Sequence, residues 1–161
     1  MKFTVGWLKD YLDFDCSIIQ LSQKLTSIGL EVENIRSPIT DPDKFIVCEV
    51  LKVEKHPNAD KLKICNVSDG KDNYKIVCGA QNVKNGLITV LAKEGAIIYN
   101  QTENALKIYK SKIRGIESNG MLCSEEELGI EEKSTGIIEL NDSYEVGKSF
   151  SDYVSDEDIE I

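Results

Sequence analysis

Only seven residues, 80–86 (Ala-Gln-Asn-Val-Lys-Asn-Gly), separate two runs rich in β-branched side chains, too few for the crossover helix that joins parallel strands. A doubly wound α/β sheet is therefore excluded here. Around this connection lies a succession of strand-like runs with turn signals between them. Residues 45–54 form the first; Leu62 and Ile64 alternate in a second; Tyr74, Ile76 and Cys78 alternate in a third, reached across Asp69-Gly70-Lys71-Asp72-Asn73. Residues 87–91 and 106–116 supply a fourth and a fifth. Five short runs so spaced predict antiparallel pairing and closure into a small barrel. One short helix over 124–128, closed by Gly129, and an outer strand over 136–140 are expected to follow.

The first 40 residues have a different period. Trp7, Leu8, Tyr11 and Leu12 recur at helical spacing, and Ser17 with Gln20 three residues on forms a capping box ahead of Ile18, Leu21, Leu25 and Ile28. Gly29 stops that helix, and Leu30, Val32 and Ile35 suit a short half-buried strand. Segment 37–43, with Pro38 and Pro42, reads as a linker. The expected architecture is an α+β leader plus a mainly β domain, a five-stranded OB-fold barrel with short flanking helix and strand extensions. The leader takes residues 1–40 and the barrel 41–151. The tail 152–161 ends on Asp-Ile-Glu-Ile with no turn or cap; it is expected to complete the leader, together with residues further downstream.

Apolar residues make up 41% of the 161 and charged residues 29%, with 3 prolines and 11 glycines, which excludes collagenous, low-complexity and disordered classes. No run approaches the roughly 18–20 apolar residues of a membrane span. Asp10 and Asp13 fall where a signal peptide would be apolar, so no membrane association and a cytoplasmic location are expected. The five cysteines are an odd set with no C-x-x-C pair, which points to reduced, buried thiols. Net charge is −9, but it is unevenly spread: residues 1–51 carry −3, residues 52–114 carry +6 and residues 117–161 carry −12. Such a field presents a basic face to a polyanion while the acidic remainder keeps the chain dispersed; it also fits plain solvated surface.

Two constellations sit in the basic stretch. His56-Pro-Asn-Ala-Asp-Lys-Leu62 is a turn between strands, and Lys61 and Lys63, alternating with Leu62 and Ile64, are candidate phosphate contacts. His56 is the lone histidine, a residue more often structural than ligating beside a proline turn. Further on, strand register would put Lys110, Lys112 and Arg114 on one face as a phosphate track. Ser118, Asn119, Gly120 and Met121 then form a tight turn whose hydroxyl, amide and backbone N–H groups suit a sugar or phosphate oxygen; such a turn also suits a plain join with Met121 in the core. Glu125, Glu126 and Glu127 are explained by a helix start better than by acid–base work. No phosphate-cradling glycine loop and no zinc motif is present, and Cys65, Cys78 and His56 do not complete a metal site, so neither catalytic residues nor a metal is expected.

Read in order, M-K-F-T-x-x-W-L-K-D-Y-L, L-T-S-I-G-L-E-V-E-N-I, H-P-N-A-D-K-L-K-I-C-N-V, I-V-C-G-A-Q-N-V and I-R-G-I-E-S-N-G-M-L-C-S-E-E-E-L-G-I resemble the amino-terminal part of the bacterial phenylalanine–tRNA ligase β-subunit family. The barrel part also resembles the wider tRNA-binding OB module of other synthetase appendages and free-standing tRNA chaperones. The resemblance implies a tRNA-binding barrel within a cytoplasmic α2β2 ligase that charges phenylalanine-specific tRNA using ATP and Mg²⁺. Catalysis would lie on the α subunit and beyond position 161 of the β subunit, leaving no cofactor in this stretch. The family's S-x-G-M element falls on Ser118 to Met121, its basic strand on Lys112 and Arg114, and its H-P-x-A-D-K-L element on His56 to Leu62. The acidic stretch after Glu117 departs from a polyanion binder and keeps a second reading in play, a structural and assembly module with little RNA contact.

Overall fold

The computed structural model describes residues 2–33, 35, 39, 41–99, 105–131, 133–154 and 161. They separate into two compact units, Met1–Pro38 with Val154–Ile161, and Ile39–Tyr153. Positions 37, 38 and 40 of the expected linker and 155–160 of the acidic tail lie outside the described residues.

In the first unit, α1 (Val5–Lys9) starts at Thr4, whose hydroxyl accepts from the Trp7 N–H at 3.1 Å. Helix α2 (Ile18–Ser27) carries the expected capping box, Gln20 N–H to Ser17 Oγ at 3.3 Å and Ser17 N–H to Gln20 Oε1 at 3.1 Å. It ends with Gly29 N–H on the Thr26 carbonyl and Leu30 N–H on the Leu25 carbonyl, the paired closure of a glycine C-cap. No strand follows among the described residues of 30–35, contrary to the alternation of Leu30, Val32 and Ile35. The Val32 N–H turns back to Thr26 Oγ1 (3.4 Å) instead of reaching a neighbouring strand, and Leu30 and Ile35 stay exposed. Phe3 and Ile161 exchange backbone hydrogen bonds of 3.2 and 2.9 Å.

The second unit is built on a five-stranded antiparallel sheet in the order β3-β2-β1-β4-β9, nearly closed into a barrel of OB type. Strand β1 (Phe45–Lys55) is long enough to serve two neighbours. Its first half pairs with β4 (Ile88–Ala92) and its second half with β2 (Lys63–Ser68). A bulge between Val50 and Lys52 bends it from one to the other, which is how a short sheet curls. Strand β3 (Asn73–Cys78) forms the hairpin with β2, and β9 (Met121–Leu122) pairs with β4. Alternation sends Cys65 and Val67 of β2 inward to meet Cys48, Val50, Ile76, Leu91 and Leu122, all buried, while Asn66 between them is exposed.

The expected fifth strand over 106–116 is instead three short ones. Strands β5 (Ile97–Tyr99) and β6 (Ala105–Lys107) make one hairpin, β7 (Ser111–Ile113) and β8 (Ile116–Ser118) another. Arg114 and Gly115, at φ +50° and +88°, turn the second hairpin in two residues. Ile113 and Ile116 flank the turn three residues apart and would face opposite sides of one continuous strand, so the break in alternation there marks the reversal. Residues 124–128 form a single turn rather than a helix: Leu128 N–H reaches the Ser124 carbonyl, and Ser124 exchanges capping bonds with Glu127. Residues 136–140 give no strand either. Leu140 makes one isolated bridge to Ile88, and the Ile137 backbone is held by both ends of the Asn82 amide.

Candidate nucleic-acid interface

Two segments far apart in sequence are joined by the imidazole of His56. The Asn58 N–H donates to Nδ1 at 3.1 Å, so the ring proton sits on Nε2, which donates to the Ile113 carbonyl at 3.1 Å. The His56 N–H also bonds the Leu62 carbonyl at 3.1 Å. With both ring nitrogens used and the residue 5% exposed, His56 fixes the 56–62 turn against the β7–β8 hairpin and presents nothing to solvent.

Around that junction stand the cations. Lys61, Lys110, Lys112 and Arg114 are exposed, and none is in an ion pair among the described residues. Only Lys112 lies within a strand; Lys110 precedes β7 and Arg114 occupies the turn, so one tight ribbon carries them rather than one face of a long strand. Across the ladder from Lys112 is Glu117, also exposed. Lys63 behaves differently. It is half-buried, and its ammonium donates to the carbonyls of Gln81 (2.9 Å) and Val83 (3.3 Å), which ties down the 80–86 connection.

The Ser118–Met121 element lies in the barrel seam, with Ser118 and Gly120 buried and Asn119 and Met121 half-buried. Ser118 is 1% exposed; its hydroxyl accepts from the Val77 N–H and donates to the Gly120 carbonyl, both at 3.1 Å. Asn119 N–H bonds the Lys75 carbonyl at 2.8 Å. These bonds stitch the free edge of β3 to the segment that runs into β9, with a hydroxyl standing where a ladder carbonyl would be. Gly120, at φ +135°, passes so close to β4 that a Cβ there would be 2.6 Å from the Ala92 carbonyl oxygen. Met121 is half-buried on β9. The sequence offered no sign of this stitching role beyond the glycine itself. Beside the hairpin, a groove of about 500 Å³ opens between Leu62, Ile113, Met121 and the 124–137 segment.

Residues 45–149 match the family model described as "Putative tRNA binding domain". The chain belongs to the tRNA-binding domain family. The match takes in His56, Lys61, Lys63, Lys110, Lys112, Arg114 and the Ser118–Met121 turn. Over 155 residues, 96% of the chain, it is 48% identical to a phenylalanine–tRNA ligase beta subunit of Rhodospirillum rubrum, and over 153 residues, 95%, it is 48% identical to that of Rickettsia bellii. The subunit of Protochlamydia amoebophila is 44% identical over 161 residues, 100% of the chain. These alignments cover 19%, 17% and 20% of the relatives, so the chain spans about a fifth of their length.

Among the remaining polar groups of this tRNA-binding domain, Asp69 and four of the thiols are buried within the fold. Asp69 is buried: Oδ1 accepts from the N–H groups of Lys71 and Asp72, and Oδ2 from the Tyr74 hydroxyl (3.1 Å) and the Lys93 ammonium (2.7 Å). Burial alone would raise its pKa, but these four donors outweigh it and hold the carboxyl well below the usual carboxylate range. All five cysteines are free. Burial pushes the Cys65 thiol up to about 12 and raises those of Cys48, Cys78 and Cys123 as well, so none of these four is a nucleophile at neutral pH. Among the described residues no three His, Cys, Asp or Glu side chains gather for one metal ion, and the groove lining includes Glu126 and Glu127 but no Lys or Arg. No helix among them is long and apolar enough to cross a membrane.

Proposed function

We propose that this chain supplies tRNA binding to a phenylalanine–tRNA ligase β subunit, with the β7–β8 hairpin and the 56–62 turn as its contact surface. The observation that carries the reading is the set of four exposed cations without ion pairs among the described residues, held at one junction by His56. Lys61, Lys110, Lys112 and Arg114 bind phosphates; His56, Lys63, Ser118, Asn119 and Gly120 shape the surface from within. The chain itself carries no catalytic group or cofactor; ATP, Mg²⁺, an α2β2 assembly, phenylalanine-specific tRNA and a cytoplasmic location belong to the whole enzyme. Residues 1–40 form a leader domain that 152–161 and downstream chain complete, and 41–151 form the binding domain. The leader reading is supported by its core: Val5 and Leu21 are the buried apolar side chains of that unit among the described residues, while Trp7, Tyr11, Leu12, Ile19 and Ile28 are exposed. That same exposure favours the second reading, in which the fragment serves mainly assembly of the β subunit.

Salt dependence of tRNA binding separates the two. Each phosphate neutralised releases a counterion, so log affinity falls linearly with log salt, by roughly 0.7 per contact on irregular RNA. Replacing Lys112 and Arg114 together by Ala lowers that slope by about 1.4. If the double variant leaves affinity and slope unchanged, or heparin binds as well per charge as folded tRNA, the assembly reading replaces this one.

A further inference from the structure

The groove beside the hairpin is where the matched segments converge. Leu62 comes from the end of the 56–62 turn, Ala80 from the segment after β3, Ile113 from β7 and Met121 from β9, and Glu126 and Ser134 line it as well. Its walls are thus mainly aliphatic. No Lys or Arg lines it, and Glu126 has no side-chain partner among the described residues, whereas Glu127 Oε2 is taken by Ser124. Two carboxylates exclude a phosphate from this space. A flat, largely apolar group carrying N–H donors fits it, since aliphatic walls cover its faces and a carboxylate accepts from its edge.

The surroundings narrow the choice. Ile113 has Lys112 before it and Arg114 after it, both exposed, so the carboxylate-bearing groove opens next to a cationic ribbon. A basic peptide would meet those cations unfavourably. An RNA strand would place its phosphates on them and have its bases at hand for the slot, which is how single-stranded segments and loops are read. We propose that the groove receives one unpaired nucleobase bearing an exocyclic amino group, adenine, cytosine or guanine, with Glu126 accepting from that amino group. This rests on the RNA-binding reading above and adds to it a base-selective subsite.

The chain has two methionines, Met1 and Met121, so methyl labelling of methionine places a probe in the groove wall. The experiment titrates the full chain with oligoadenylate, oligocytidylate, oligouridylate and an RNA duplex of equal length. The Met121 signal is expected to shift with the first two, about tenfold more weakly with oligouridylate, and not with the duplex. Glu126→Ala removes the preference, read as the ratio of the two affinities, and Ser134→Trp, which fills the groove, abolishes the Met121 shift and weakens tRNA binding at unchanged salt slope. A Met121 signal that stays put, or a ratio untouched by Glu126→Ala, while Lys112→Ala/Arg114→Ala still weakens tRNA binding overturns the subsite and leaves the proposed function standing. Absence of hairpin-dependent tRNA binding overturns both. A Met121 shift with a lysine-rich peptide but with none of the RNAs overturns the nucleobase as occupant.

Discussion

Substituting Gly120 by Ala tests whether barrel closure depends on the close approach at the seam. The residue sits at φ +135°, which side chains rarely adopt, and a Cβ would lie 2.6 Å from the Ala92 carbonyl oxygen, 3.1 Å from Leu91 Cδ1 and 3.4 Å from Ile76 Cδ1. The backbone conformation costs about 1–3 kcal/mol. The contact to Ala92 is with main chain, so β4 or the turn must shift, a further ~1–3 kcal/mol of overpacking. That shift also strains the Ser118 and Asn119 bonds to β3. A total of about 2–6 kcal/mol results, a large part of the ~5–15 kcal/mol by which domains are stable. Gly86 is the control. Its φ is +77°, but a Cβ there has nothing within 4 Å, so Gly86→Ala bears only the backbone cost of about 1–2 kcal/mol. Urea unfolding followed by circular dichroism gives both values, and the midpoint difference isolates the steric part. If Gly120→Ala loses no more stability than Gly86→Ala, the seam tolerates a side chain and the closure account is wrong.

Ser118→Ala leaves the Val77 N–H and the Gly120 carbonyl without their partner, so about 1–3 kcal/mol of stability is lost in urea unfolding while the salt slope of tRNA binding stays as it was. The thiol reagent dithionitrobenzoate should titrate Cys16 rapidly in the native chain and Cys48, Cys65, Cys78 and Cys123 only after unfolding; two or more fast thiols would contradict their burial. Asp69 has a depressed folded pKa, so its contribution is complete above the unfolded value of about 3.9 and is lost as pH falls below it towards the folded value. Stability measured from about pH 4 down to 2 should therefore fall less steeply in Asp69→Asn than in the parent, and equal slopes would show that the carboxylate is not held by its four donors.

The barrel was legible because its strands obey local rules. Cys65 and Val67 alternate with exposed neighbours, the 80–86 connection forbids a crossover, and Ser17 with Gln20 announces α2. What stayed hidden depends on contacts between distant segments. Nothing near Ser118 in the sequence tells that its hydroxyl meets Val77, and nothing near His56 tells that its ring meets Ile113. The hairpin reversal at Arg114 and Gly115 was missed although Ile113 and Ile116, three residues apart, are out of phase with one longer strand, because an apolar residue stands on each side of the turn. Lys63 shows the same limit from the other side: alternation alone assigns it to solvent, but a half-buried path leads its ammonium to the carbonyls of Gln81 and Val83.

The seam also dictates an order of events on the ribosome. Strands β1 to β3 are complete at Cys78, yet the partner that covers the open edge of β3 arrives only with Ser118 and Asn119, and the β9 pairing with Leu122. At roughly 5–20 residues per second, the ~45 residues between Cys78 and Leu122 take about 2–9 s to emerge. During that interval β3 is a bare edge, the kind that recruits strands from other nascent chains. Asn73 and Lys75, both exposed on β3, put a polar group and a charge on it for as long as it stays open.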